Sequence, residues 1–330
     1  MLAIIQWSLN SRHIAEGQTN RNGTMLTFRP LPVYGHAHCY GWDYIIHKLY
    51  KILPQDEAGI IIDDFVDSFF FDPGKKPHLS PWIGILHNTP TTPRHLTEKN
   101  SLDDLLQLPK LIHSLPHCKL LIVLCNASKQ FLQNRVNIPI KVVYHPKDSF
   151  CEFDLDTYLN RPMLFHAGFC RRNYAEYYGL NTEITRSLYI SIDWHLNLLK
   201  KDLKFHNISM RKFRRRINVY DRFLSNEEYL TLLRSQISFC WLYDCAASNA
   251  ILESTVSRAP IVVNKLPAIV EYLGDDYPLY YENIKQDPDK YILDREVLSK
   301  TVEYLARRSP LFEFDRFSRF FLELQPSDLA

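Results

Sequence analysis

The stretch Ile237-Ser-Phe-Cys-Trp-Leu-Tyr-Asp-Cys-Ala-Ala-Ser-Asn-Ala-Ile-Leu-Glu-Ser-Thr-Val-Ser-Arg-Ala-Pro-Ile-Val-Val-Asn264 decides the fold. It opens with an apolar run of strand length, 237–242. A short loop of small residues follows, then a helix-length stretch, 248–257, and a second apolar strand, 260–264. Neither strand alternates polar with apolar, so both faces have to be covered. That is the pattern of a parallel sheet with helices on either side. The first strand runs into Tyr243-Asp244, and Ser248-Asn249 are residue types able to cap the helix. Small loop residues let a ligand approach the backbone. A helix start offers free N–H groups and partial positive charge, which suits phosphate. Glu253, one turn in, carries a carboxylate able to accept two hydrogen bonds from ribose hydroxyls. The same residues also read as a plain strand–loop–helix connection with a satisfied cap and a structural glutamate, and taken alone they leave both readings open.

Working outward, the alternation repeats. Strands are expected at 2–7, 59–63, 81–87, 119–124 and 140–145, with helices at 42–53, 101–115 and 128–135. Residues 10–40 are polar and predict a long loop or hairpin. Pro146–Pro162 is polar, acidic and bounded by prolines, so it reads as a break. The pattern then restarts, with strands at 162–167, 188–193, 218–223, 237–242 and 260–264. Helices are expected between them, one of them capped by Ser225 with Glu227-Glu228 in its first turn. The final stretches, 296–305 and 312–324, are helical. The expected architecture is α/β, with two Rossmann-like parallel-sheet domains facing a cleft. Residues 1–150 form the first domain, 151–161 the linker and 162–330 the second, with the last helix able to cross back. In such sheets ligands bind beyond the carboxyl ends of the strands, which directs attention to His87, Arg171, Arg172, Asp244 and Asn264.

Bulk properties narrow the function. The chain has 330 residues, enough for roughly two domains of ~150 residues each. A net charge of +2 gives no global field to recruit nucleic acid. Ten glycines against nineteen tyrosines and nineteen phenylalanines argue against a glycine-rich phosphate loop. The seven cysteines, at 39, 118, 125, 151, 170, 240 and 245, are odd in number and lack CxxC spacing. They predict reduced, mostly buried thiols in a cytoplasmic protein. The opening residues lack the basic region and apolar length of a signal peptide, and no run of ~18 apolar residues exists, so membrane contact is expected to be peripheral at most.

The order helix with carboxylate, apolar strand, Pro-containing loop and second helix with Glu resembles the donor-binding half of GT-B-fold glycosyltransferases, in particular retaining family-4-like enzymes. The residues that carry the likeness are Leu252-Glu253-Ser254, Pro260-Ile-Val-Val263 and Pro267-Ala-Ile-Val-Glu271. Met163-Leu-Phe-His-Ala-Gly168-Phe-Cys-Arg-Arg172 is similar to the first strand of that domain. Asn218–Leu224 with the helix after it is similar to the unit whose loop faces the base. Trp82–His87, Leu120–Asn126 and Val142–Pro146 resemble the strands that precede the domain crossover. The likeness spans residues 82 to about 320. It implies transfer of a sugar from a nucleotide-sugar donor to a carbohydrate or other hydroxyl-bearing acceptor, with retention and without metal or other cofactor. Asp244, His87 and Arg172 would be catalytic. Arg171, Arg172, Tyr220, Tyr243, Ser248, Asn249 and Glu253 would hold the donor. The chain departs from the family in three ways. Asp244 and Glu253 are separated by eight residues where the family has two Glu separated by seven. No Lys follows the Arg pair at short distance, leaving Lys200, Lys201 or the Arg211–Arg216 run as substitutes. The Gly-Gly loop after the first strand is missing. The rival readings are a catalytically inactive GT-B-like partner protein and a sugar-nucleotide epimerase.

Other clusters carry weaker expectations. His36 and His38, flanked by Tyr34 and Tyr40, sit in the polar loop and suit either an acceptor or solvent. Asp63-Asp64 and Asp275-Asp276 read as solvated caps of apolar runs rather than a metal-binding pair. The Arg211–Arg216 run reads as a solvated face.

Overall fold

A computed structural model describes residues 26–28, 41–53, 59–96, 100–168, 170–190 and 193–329. The expected strand at 2–7 and the histidines His36 and His38 lie outside these residues.

Among the described residues, the strands form two five-stranded parallel sheets. The first contains β1 (Leu26–Phe28), β2 (Ile60–Asp63), β3 (Trp82–Leu86), β4 (Cys118–Val123) and β5 (Ile140–Val142), side by side in chain order. Between them run α1 (Trp42–Ile52), α2 (Val66–Phe71), α3 (Leu102–Leu106), α4 (Pro109–Ser114) and α5 (Asn126–Leu132). The second sheet contains β6 (Met163–Ala167), β7 (Thr185–Ile190), β8 (Asn218–Asp221), β9 (Ile237–Cys240) and β10 (Ile261–Val263), in the order β10-β9-β6-β7-β8. Its helices are α6 (Leu155–Asn160), α7 (Tyr174–Gly179), α8 (Asp193–Phe205), α9 (Met210–Arg214), α10 (Asn226–Ser235), α11 (Asn249–Val256) and α12 (Pro267–Leu273). Four more follow: α13 (Tyr281–Ile284), α14 (Asp289–Ile292), α15 (Arg295–Arg308) and α16 (Phe314–Leu322). No described helix is long and apolar enough to cross a membrane.

The apolar runs become strands because both faces are covered. Every residue of β3 and of β9 is buried. On one face of the first sheet, Ile45, Ile46 and Leu49 of α1 meet Ile62, Ile83 and Ile122. On the other, Val66, Phe70, Leu102 and Leu105 cover Trp82, Leu86 and Leu121. The second sheet buries Leu164, Leu188 and Phe239 against Tyr174, Tyr177, Leu199 and Phe213. Residues 151–161, expected as linker, carry α6, whose Tyr158 is buried and donates its hydroxyl to the Ile292 carbonyl at 2.8 Å. Phe317 and Phe321 of α16 return to the core of the first sheet.

Two local expectations change. The polar stretch 10–40 contains β1, paired with β2 at Leu26↔Ile60. Three residues are too few for a period-2 pattern to show. The single helix expected at 101–115 is two helices, α3 and α4. Pro109 lacks an N–H and disfavours helical backbone at Leu108, so one helix stops and the next begins with proline in its first turn.

The strand order of the second sheet places the site. Chain order runs outward from β6 through β7 to β8, then returns to the other side of β6 with β9. At such a reversal the loops after the two central strands leave in opposite directions and open a crevice at their carboxyl ends.

Candidate functional site

The residues after β6 and β9 meet in that crevice. Gly168 has φ +89°, a left-handed conformation that favours glycine, and a Cβ there would lie 3.1 Å from the Arg172 guanidinium. Arg171 also has positive φ, 55°. These turns fold the loop back so that Arg172 pairs with Leu242 in an antiparallel bridge. Asn173 N–H donates to the Trp241 carbonyl at 3.0 Å and Tyr243 N–H to the Arg171 carbonyl at 2.9 Å.

This lacing buries Arg172, which is 7% exposed. Its Nη1 donates to the Cys240 sulfur, and its Nε has no hydrogen-bond partner. Among the described residues no carboxylate pairs with it. A buried charge without a counter-charge is costly, so the arrangement favours an anion. Burial pushes the Cys240 thiol up, against the pull of Arg172 and of the Ser248 hydroxyl. Arg172 and Ser248, at the start of α11, thus both act on the Cys240 thiol.

Ser248 is the N-cap of α11 but makes no side-chain cap bond, contrary to the capping expected of Ser248-Asn249. The N–H groups of Asn249 and Ala250, in the first turn, are left for an outside acceptor.

Glu253 is buried, and both its oxygens have protein donors. Lys147 Nζ lies 2.8 Å from Oε1, and the Tyr229 hydroxyl donates to Oε2. Lys147 stands in the chain crossover after β5, so the carboxylate is tied to the segment that leaves the first sheet. Removing one partner of such a buried pair costs about 3–5 kcal/mol.

Beyond the first sheet, residues 88–92 and Asn100 reach the same crevice. Thr91 donates both its N–H, at 3.0 Å, and its hydroxyl, at 2.9 Å, to Asp244 Oδ2. Arg171 Nη2 donates to Asn88 Oδ1 at 3.1 Å and to the Asn100 carbonyl at 2.9 Å, and its Nε donates to Thr92 Oγ1 at 3.1 Å. Asp244 and Arg171 are thus brought to the cleft with both engaged by the facing domain. His95 extends the contact, stacking on Phe205 with centroids 4.1 Å apart and reaching buried Asp202 at 3.1 Å.

The remaining expected residues are spread. Tyr243 donates its hydroxyl to Asp202 Oδ1 at 2.7 Å and meets His206 Nε2 at 2.7 Å. Tyr220 is exposed on β8 and stacks on Tyr189 at 5.0 Å. His87, after β3, packs between Trp42 and Phe65 at 4.4 Å from each and bonds the Asp64 carbonyl through Nε2 at 3.0 Å. Burial lowers it to about 4, so its ring is neutral, with Nε2–H as the donor. Lys200, Lys201 and the Arg211–Arg216 cations are exposed. The lysine that the fold does bring inside is Lys147.

Asp63 and Asp64 overturn their expectation. Both are buried, because His78 meets Asp63 Oδ2 at 2.9 Å and the Trp42 indole N–H donates to Asp64 Oδ2 at 3.1 Å. Asp275 and Asp276 are exposed as expected, with Asp275 paired to Lys265 at 2.7 Å.

No protein-family model matches the sequence, and no curated protein does. Solved structures do resemble it. The chain superposes on sucrose-phosphate synthase from Thermosynechococcus elongatus with a TM-score of 0.61 at 8% identity, covering 84% of this chain and 75% of that one. With α,α-trehalose 6-phosphate synthase from Burkholderia multivorans the TM-score is 0.55 at 11% identity, over 87% and 75%. With Anabaena HepE in complex with UDP and glucose it is 0.53 at 13% identity, over 74% and 71%. The chain has the GT-B fold. Within the GT-B frame, the crevice at β6 and β9 belongs to the second domain, and residues 88–92 with Asn100 of the first domain face it.

Proposed function

We propose that this chain is a glycosyltransferase that moves a sugar from a nucleotide-sugar donor to a hydroxyl-bearing acceptor. Residues 1–150 form the acceptor side and 162–330 the donor side, joined through 151–161. The observation that carries the reading is Arg172, a buried guanidinium with an unpartnered Nε, set beside the uncapped start of α11. Together they offer cationic and N–H donors to a diphosphate. The GT-B likeness supports it, since one superposed structure holds UDP and glucose.

In the reaction the acceptor oxygen bonds the anomeric carbon as the bond from that carbon to the diphosphate breaks, and the acceptor's hydroxyl proton passes to the departing phosphate oxygen. Charge grows on the leaving diphosphate, and preorganised donors stabilise it there without a divalent ion. Arg172 and the N–H groups of Asn249 and Ala250 do this work. Arg171 assists once it is released from Asn88. Asp244 faces the transferred sugar, trading the Thr91 donors for sugar hydroxyls. His87 is a neutral acceptor in the first domain. Tyr220, with Tyr189, offers a flat surface near the base, and Tyr243 braces the donor loop through Asp202. Glu253 accepts from the ribose. Retention, metal independence and a cytoplasmic location complete the proposal.

Arg172→Ala tests it. The variant should slow donor hydrolysis by about 100-fold or more, the effect of removing one charge-stabilising donor. It should also abolish the thermal stabilisation that UDP gives the native state by mass action. An unshifted melting temperature for the unsubstituted protein, across a panel of nucleotides and nucleotide sugars, would favour an inactive GT-B partner protein. The ties that hold Arg171 to Asn88, Thr92 and Asn100, and Asp244 to Thr91, are the observation behind that second reading.

A further inference from the structure

Lys147 is a lone lysine after a proline, with no motif around it, yet its side chain is among the most enclosed cations of the protein at 1% exposure. Its Nζ lies 2.8 Å from Glu253 Oε1, and its backbone N–H is fixed to the Phe312 carbonyl at 2.8 Å. Tyr229 approaches the same carboxylate from α10 and donates to Oε2, its ring packed edge-on against Phe165 at 6.3 Å. Each carboxylate oxygen has two acceptor sites. Among the described residues each receives one protein donor, which leaves one acceptor site on each. A glutamate has three rotatable bonds, and two donors from different elements hold it in one orientation. Two adjacent acceptors on one rigid carboxylate match the two neighbouring hydroxyls of a ribose.

We infer that Lys147 and Tyr229 are positioning residues that present Glu253 to the 2′,3′-diol of the donor nucleotide, so that the site selects ribonucleotides over 2′-deoxyribonucleotides. This rests on the nucleotide-sugar reading above. Lys147 belongs to the crossover between the sheets, so the preference for ribose is set from outside the donor-binding sheet itself. No bond forms or breaks in this step. A hydroxyl lost from the ligand leaves one oriented acceptor unmatched.

The test is calorimetric titration of the full chain with UDP and with 2′-deoxy-UDP. The unsubstituted protein should prefer UDP by about tenfold, the effect of leaving one buried acceptor unpaired. Lys147→Met should reduce that preference to less than about twofold, with the loss falling on UDP. Lys147→Arg should restore most of it. Tyr229→Phe removes a single hydroxyl and is the variant that carries the test if Lys147→Met does not fold; it should lower the preference part-way. A merely structural role would weaken both nucleotides equally and leave their ratio unchanged. An undiminished ratio in folded Lys147→Met, or in Tyr229→Phe where the first does not fold, overturns the inference alone. An unsubstituted protein that binds neither nucleotide overturns the reading of function and this inference with it.

Discussion

The imidazoles of His87, half-buried, and His145, buried, lie 6.5 Å apart around Trp42. Burial lowers His87 to about 4. Burial, with His87 and Lys147 adding positive charge, lowers His145 to about 3. In an unfolded chain histidine titrates near ~6.5. Between that value and the native ones the unfolded state holds protons the native state refuses. The stability these rings contribute is therefore fully present above about pH 6.5 and is lost as pH falls through 4. Going from pH 7 to pH 4 should cost on the order of 3 kcal/mol for His87 alone. Asp67 acts in the opposite sense. Burial raises it to about 6, so its contribution is present below about pH 4 and declines as pH rises through 6. Urea unfolding at both pH values, for the native sequence and for His87→Asn, isolates the histidine. Parallel pH slopes for the two proteins would contradict the assignment. The neutral ring also limits chemistry: at neutral pH His87 has no proton to give as an acid.

Helix α10 shows how one element serves the site. Ser225 caps it with a reciprocal box, its hydroxyl accepting from Glu228 N–H at 3.1 Å while the Glu228 carboxylate accepts from Ser225 N–H at 2.8 Å. One turn on, the same helix delivers Tyr229 to Glu253. Ser225→Ala should cost about 1 kcal/mol in denaturant unfolding, and an unchanged midpoint would show the box to be idle. This cap was legible in the sequence, because Ser-x-x-Glu is a local signature, and so were the apolar strands that decide the fold. Other features were hidden by distance along the chain. Thr91 and Asp244 are 153 positions apart, and Lys147 and Glu253 are 106 apart. Spacing rules act over about ten residues, so nothing marked Lys147, Asn88 or Thr91. The expected solvated caps at Asp63-Asp64 failed for the same reason, since Trp42 and His78 arrive from separate elements. Ser248 looked like a cap by type and sits at the cap position, but its side chain makes no cap bond.

At the scale of the molecule, the two halves are joined at several points. Asn126 at the start of α5 donates its N–H and side-chain amide to Glu271 of α12, at 2.7 and 2.6 Å, and the Tyr272 hydroxyl donates to the Leu124 carbonyl at 2.7 Å. Helix α16 is the largest of these ties, because Phe317 and Phe321 fill the core of the first sheet with Leu26, Trp42 and Ile83. Phe321→Ala should cost about 3–5 kcal/mol, the usual loss for a fully buried phenylalanine, measured by denaturant unfolding. A loss under about 1 kcal/mol would mean the helix merely rests on the surface. The arrangement has a consequence for biosynthesis. A ribosome makes strands β1 to β5 and α1 well before it reaches Phe314, so the first sheet emerges with the part of its core that α16 fills still open. Domains made first commonly fold first. Here the early half waits, partly open, until α16 has been translated, and during that interval the apolar surface that Phe317 and Phe321 cover is exposed.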